Sequence, residues 1–383
     1  MESENLTEKS QSGFRSQLGW RLPVILISAS LLGSIRFCHR QPAMPVEPEE
    51  ELPDTAIHIP LPTPLPSWPL FSHPSPQRQW EEIDNPKVYQ PTGSGRIASA
   101  WYGSVRTRSS GRASFHEGVD IAPVKKDRRG RAEDKIFAVA DGEVAYINRV
   151  GGNSSYGRYV LLRHQDEVGD VYTLYAHLES IPKNVKVGQE VKVGEVIGQM
   201  GHSSTLGIPV QRSHLHFEMC MMLNPSFDKW YRGKKLIPDH GNYHGYNFAG
   251  FNPLRMLVPL SGKDHIPFSY LETLQEIKPA WHLVVRSSKR PRYFSMYPRL
   301  WEGEPYKGEA FYLTVSESGI PLSGRNATEA EIAALGTSTN KVVWVDEEVL
   351  GRNGTRHIST NPQNRTLARN GTRWLEILMY DAR

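Results

Sequence analysis

Val185-Lys-Val-Gly-Gln-Glu-Val-Lys-Val-Gly-Glu-Val-Ile-Gly198 decides how the middle of this 383-residue chain folds. Val-Gly recurs at 187–188 and 193–194, and turn glycines between valine pairs are the pattern of tight strand-turn-strand returns. The same texture extends outward through Ile136–Val139, Val144–Ile147, Tyr159–Leu162 and Val171–Tyr175, short β-branched or aromatic runs broken by glycine and polar turns. No helical period longer than two turns interrupts them. The fold class is therefore mostly β: a compact antiparallel β barrel or sandwich over residues 86–260, with a β-rich extension over 261–383.

Composition narrows what this fold can do. Lys and Arg total 45 against 41 Asp and Glu, a net charge of +4, too small an excess for a dedicated nucleic-acid binder. Two cysteines, Cys38 and Cys220, supply neither a disulfide framework nor a cysteine-rich metal knuckle. Any bound metal must be held by carboxylates and some of the 14 histidines.

Residues 1–41 read as an address. The apolar run LPVILISASLLGSI from Leu22 to Ile35 is short for a bilayer-spanning helix, which takes about 20 residues, and suits a signal-peptide core or short uncleaved signal anchor. Either exports the rest of the chain. The expected location is thus extracytoplasmic, the periplasm or cell envelope, with inner-membrane anchoring through residues 22–35. Residues 42–85 follow as a linker. From Pro42 to Pro76, 11 of 35 residues are proline, which fixes φ and removes donors, so an extended spacer without a core of its own is expected.

Two motifs lie within the β-rich block. In His116-Glu-Gly-Val-Asp120, strand alternation puts His116, Gly118 and Asp120 on one face, the glycine leaving room for a bulky neighbour. In His214-Leu-His-Phe-Glu-Met219, His214, His216 and Glu218 share one face while Leu215, Phe217 and Met219 can sit on a core. A lone strand histidine is usually structural. Two polar pairs aimed at one side bring a metal reading level with the structural one, and a catalytic zinc takes three protein ligands and keeps a fourth position for water. His116, Asp120 and one of His214 and His216 meet that count, leaving the other for proton transfer.

With Tyr175-Ala-His177-Leu178 added, the constellation resembles the lysostaphin-type zinc endopeptidases of bacterial cell walls. The matching stretches are FHEGVDIA (115–122), AVADGEVAYI (138–147), YGRYVLLRH (156–164), TLYAHLESI (173–181), VKVGQEVKVGEVIGQMG (185–201) and SHLHFEM (213–219). They span roughly residues 90–225 in the family's order. The resemblance implies a compact antiparallel fold, the duplicated hybrid motif. It also implies one zinc ion held by His116, Asp120 and His216, with His177 and His214 at the open position as catalytic histidines. The implied activity is zinc metalloendopeptidase action on peptide cross-links or stem peptides of peptidoglycan, through metal-activated water. A non-catalytic regulator of wall hydrolases, or a wall-binding protein on the same fold, is the alternative.

The remaining signals are weaker. PVKKDRRGRAEDK (123–135) is a long basic connection, a surface hairpin or an attractor of stem-peptide carboxylates. His164 and His202 read as structural. Asp239, His240 and His244 have ligand-like spacing but sit in a Gly/Asn/Tyr loop. Thr328-Glu-Ala-Glu331 is a capping box opening a helix that Gly336 ends. The apolar runs at 282–285, 310–315, 341–345 and 374–380 read as aromatic-rich strands of an accessory or wall-binding layer whose role the residues do not decide.

Overall fold

The computed structural model describes residues 68–77, 79–80, 87–107, 113–349, 356–359, 361 and 363–381. The apolar run at 22–35 lies outside these. Among the described residues no helix is long and apolar enough to cross a membrane.

Seven strands build the sheet that carries the site: β1 (Val119–Ile121), β2 (Gly142–Asn148), β3 (Arg158–Asp166), β4 (Gly169–Leu178), β5 (Glu190–Val191), β6 (Leu215–Met222) and β7 (Phe248–Phe251). Their order is β7-β6-β4-β3-β2-β5, with β1 also on β6, and every pairing is antiparallel. The mostly-β antiparallel class holds, but the sheet does not close into a barrel. The valine-glycine repeat makes the expected returns. Gly188 and Gly194 adopt φ of 82° and 80°, a left-handed conformation that glycine takes without strain. Their amides donate to the carbonyls of Val144 and Ala138 at 2.8 Å each.

Both faces of the sheet are covered. Leu215, Phe217 and Met219 enter the main core with Val119, Val160 and Tyr175. Cys220 and Met222 face the other way, into a second cluster with Tyr159, Leu161, Tyr172 and Leu174. Gly118 has a different use from the one expected. A Cβ there would lie 2.3 Å from the Phe217 carbonyl oxygen and 2.8 Å from Glu218 Cγ, so the bulky neighbour is the backbone of β6. Gly118→Ala must push these strands apart. It is expected to destabilise the fold by about 1–3 kcal/mol, read as a lowered Tm.

The end of the proline-rich stretch does not stand off as a spacer. Phe71 is fully buried, pairs with Ile266 and packs edge-on against Phe268 at 5.3 Å. That ring and backbone bonds from Ser72 to the Val139 carbonyl and from Phe268 to the Pro69 carbonyl dock this part of the chain despite its prolines.

Residues beyond 260 share this core, through Tyr270, Trp281, Tyr293 and Trp374 among others. Their own sheet contains β8 (Trp281–Arg286), β9 (Trp301–Glu302), β10 (Ala310–Val315), β11 (Pro321–Asn326) and β12 (Asn340–Val345), ordered β9-β11-β10-β8-β12. The capping box is present as expected, with Thr328 and Glu331 reciprocally bonded at the start of the helix Glu329–Leu335. The strand expected at 374–380 is instead the end of a helix, Arg369–Met379. Its buried residues, Gly371, Trp374, Ile377 and Leu378, recur at three- and four-residue spacing, the period of a helix with one face on a core.

Candidate metal centre

Antiparallel register assembles most of the centre. Asp120 on β1 lies directly opposite His216 on β6, and directly opposed residues project from the same face with Cβ atoms about 5 Å apart. His214, two residues before His216, shares that face. His116 enters from the turn before β1, held by a backbone bond from its amide to the Ser104 carbonyl at 3.0 Å.

His177 needs a different device. His216 opposes Ala176 on β4, so plain alternation would turn the next side chain, His177, away. A bulge between β3 and β4 and a left-handed backbone at His177, φ 61°, re-aim it. Its ring centroid then lies 4.8 Å from that of His214 and 5.7 Å from that of His216. All five side chains, His116, Asp120, His177, His214 and His216, line one cleft of about 320 Å³.

Hydrogen bonds assign the imidazole tautomers. His116 Nδ1 lies 2.8 Å from the Trp101 carbonyl, His177 Nδ1 2.9 Å from that of Ser203, and His214 Nδ1 2.7 Å from that of Arg212. A carbonyl only accepts, so each Nδ1 carries the proton and each Nε2 keeps a lone pair. Burial holds all three rings below the usual histidine range: His116 falls to about 4, and His177 is depressed further by the like-charge cost of His214 and His216 beside it. They are neutral at pH 7.

His116 Nε2, Asp120 Oδ1 and His216 Nδ1 converge. The separations are 3.0 Å from His116 to Asp120, 3.0 Å from His116 to His216 and 2.9 Å from His216 to Asp120. Edges of a zinc tetrahedron with bonds of 2.0–2.1 Å are about 3.3 Å, so the donor triangle has nearly the size the ion requires. The triangle also calls for positive charge. Burial opposes Asp120's ionisation, but His116 and the Arg106 guanidinium, 2.5 Å away, hold its carboxyl well below the usual range. Burial likewise opposes protonation of His216, and bonds to Asp120 and Glu218 outweigh it, raising the ring to about 9. A proton on His216 Nδ1 thus lies between the donors, in the position a divalent cation would take, and metal binding would displace it. Two imidazoles and a carboxylate with one charge short fit zinc.

Supporting residues fix these side chains, and most carry no signal of their own in the sequence. Glu218 accepts from His216 Nε2 at 2.7 Å and from the Tyr156 hydroxyl at 2.8 Å, the position an outer carboxylate takes where it orients a histidine toward a metal. Strand alternation places Glu218 on the correct face. Arg106, Tyr156 and the carbonyls of Trp101 and Ser203 come from separate segments and carry no local pattern.

Other candidates are committed elsewhere. His164 bonds the Asp141 carbonyl and Thr173 at 2.8 Å each, and His202 bonds the Ile208 carbonyl at 3.0 Å. Asp239 pairs with Arg232, His240 with Tyr146 and His244 with Tyr231, so that loop forms no second metal cluster among the described residues. The basic connection is a largely exposed hairpin closed by a Lys126–Ala132 bridge, and none of its residues lines the cleft.

Comparison with known proteins finds a family profile over the same stretch of chain. The profile of Peptidase family M23 matches residues 114–226. The chain is 43% identical over 86 residues to the cell division protein DipM of Caulobacter vibrioides, covering 22% of this chain and 12% of that protein. It is 32% identical over 110 residues to the peptidoglycan DD-endopeptidase ShyC of Vibrio cholerae, covering 28% and 21%. The chain therefore spans well under half the length of either relative. Among solved structures, the catalytic domain of lysostaphin from Staphylococcus simulans is similar at 22% identity and a TM-score of 0.25, over 41% of this chain and 88% of that one. With its histidine and aspartate motifs gathered in one cleft and the family profile running through them, the segment 114–226 belongs to Peptidase family M23, a family of peptide hydrolases.

Proposed function

We propose that this protein is a zinc-dependent endopeptidase that cleaves peptide cross-links or stem peptides of bacterial peptidoglycan outside the cytoplasm. The observation that carries the reading is the completeness of the centre. A three-donor triangle and two further neutral imidazoles share one cleft, with no member missing or turned away. The similarity to ShyC, named as a peptidoglycan DD-endopeptidase, supports that substrate class.

His116, Asp120 and His216 would hold the ion. A zinc ion bound there supplies Lewis acidity, polarising a peptide carbonyl and bringing the pKa of its water to about 7. The chain's own residues supply the rest. His177 and His214 are neutral and keep Nε2 unprotonated, so either can accept a proton as water attacks and return it to the leaving amine. Once Nε2 is protonated, the carbonyls of Ser203 and Arg212 at the Nδ1 side stabilise the imidazolium. Arg106 is bonded to Asp120 and also to the Ser99 carbonyl, which holds the carboxylate in one orientation. Burial of the five groups keeps bulk water from screening these interactions.

Mass spectrometry of purified sacculi incubated with the purified protein tests the reading. Soluble muropeptides cut at a peptide bond should appear, disappear with a chelator and return with zinc. Sacculi left intact at saturating zinc would contradict the proposal.

A further inference from the structure

The cleft does not end at the imidazoles. Past Tyr156 and Leu206 it continues into a second chamber of about 500 Å³, and Ser114, Phe115, Glu117 and Ser155 line both spaces. The far wall of that chamber lies outside the family segment. It is built by the loop from Pro238 to Tyr246, by Arg356, and by Asn370 and Arg373 on the helix Arg369–Met379.

This wall is held rigidly. Asn224, fully buried beside the catalytic sheet, donates to the carbonyls of Ile377 and Tyr380 at 2.7 Å each and so ties down the end of the helix. Trp374 Nε1 donates to the Gly319 carbonyl at 2.8 Å. A Cβ at Gly371 would lie 2.2 Å from the His357 carbonyl oxygen, so the helix lies directly on the segment carrying Arg356.

The formally charged groups lining the chamber are Glu117, Arg356 and Arg373. Arg356 is paired with Glu117, yet its Nη1 is buried with no hydrogen-bond partner. The Arg373 guanidinium lies over the Tyr246 ring, 4.0 Å from its centroid, and donates to Asn370 Oδ1 at 3.0 Å. No carboxylate pairs with Arg373 among the described residues. Stacking fixes the plane of the fork and leaves other N–H donors open, the arrangement that suits a carboxylate bidentately.

We propose that this chamber is a specificity subsite for a carboxylate-bearing residue of the peptide being cleaved, with Arg373 as its principal contact. The subsite rests on the endopeptidase reading and deepens it. The part of the chain beyond the family segment then selects the substrate for the metal centre.

The test uses the zinc-loaded full chain and two stem peptides of identical sequence, one with free carboxylates and one with the same groups amidated. A charge-assisted contact of this kind is worth about 1.5–3 kcal/mol, or about ten- to a hundredfold. The wild type should therefore show a KM at least about tenfold lower for the acid peptide. Arg373→Ala should raise KM for the acid peptide by a similar factor, with kcat within about twofold and no effect on the amidated peptide. Arg373→Lys, which keeps the charge but loses the fork, should fall between and serves if the alanine variant does not fold. Equal losses on both peptides, or none, would overturn the subsite. Calorimetric binding of the same pair separates this from failure of the endopeptidase reading. If neither peptide is cut, a binding preference for the acid form that vanishes in Arg373→Ala still supports the subsite, and equal binding overturns it.

Discussion

His216→Ala is expected to abolish stoichiometric metal binding and to reduce peptide hydrolysis by more than about two orders of magnitude, the scale set by loss of a single acid-base group. The loss is larger because carbonyl polarisation and water activation disappear together. His216 also lies between two buried carboxylates, bonding Asp120 at 2.9 Å and Glu218 at 2.7 Å. Removing one partner from such a set costs about 3–5 kcal/mol, so the variant should also unfold at lower temperature. Zinc separates the two effects. A ligand at a thousand times its Kd adds about 4 kcal/mol to the wild-type fold, and His216→Ala should gain almost none of it. A variant stabilised by zinc as strongly as the parent would remove His216 from the ligand set.

The second large effect is expected at His177 and His214. Alanine at either position should leave zinc stoichiometry near one and lower kcat by about 10²–10⁴-fold, the contribution of a positioned acid-base group. Loss of zinc in both variants would overturn the division between ligands and proton carriers. His177 offers an internal control because its backbone is left-handed, φ 61°. An L-residue there bears about 1–2 kcal/mol that glycine avoids. His177→Gly should therefore be more stable than His177→Ala while being equally inactive, and thermal melts beside kinetics would show both.

Much of the centre is legible in the amino-acid sequence because strand alternation is local. Within His214-Leu-His-Phe-Glu, a period of two separates the polar face from the core face, and β6 is built that way, with Phe217 in the core and His216 in the cleft. The valine-glycine repeat is legible for the same reason: a left-handed glycine marks its own turn. His177 shows where the rule stops. Periodicity alone points its side chain away from the cleft, and only the bulge turns it back. Resemblance to a known motif, not alternation, identifies it. Arg106 and Tyr156 reach the site through contacts with residues 14 and 62 positions away, Asp120 and Glu218, which no window along the chain displays. At Trp374–Tyr380 composition misleads, because an apolar run read by itself suits a strand as well as a helix. The buried spacing from Gly371 through Ile377 is helical once the window begins upstream of the tryptophan. Proline content likewise outweighs Phe71 in the sequence, and the burial of that ring depends on a partner strand nearly two hundred residues later.

Anomalous diffraction at the zinc edge from crystals of the zinc-loaded protein tests the metal centre most directly. One strong peak is expected at about 2.0–2.2 Å from His116 Nε2, Asp120 Oδ1 and His216 Nδ1, with His177 and His214 uncoordinated beside it. A peak held by any other residues, or no peak at saturating zinc, would contradict that ligand assignment.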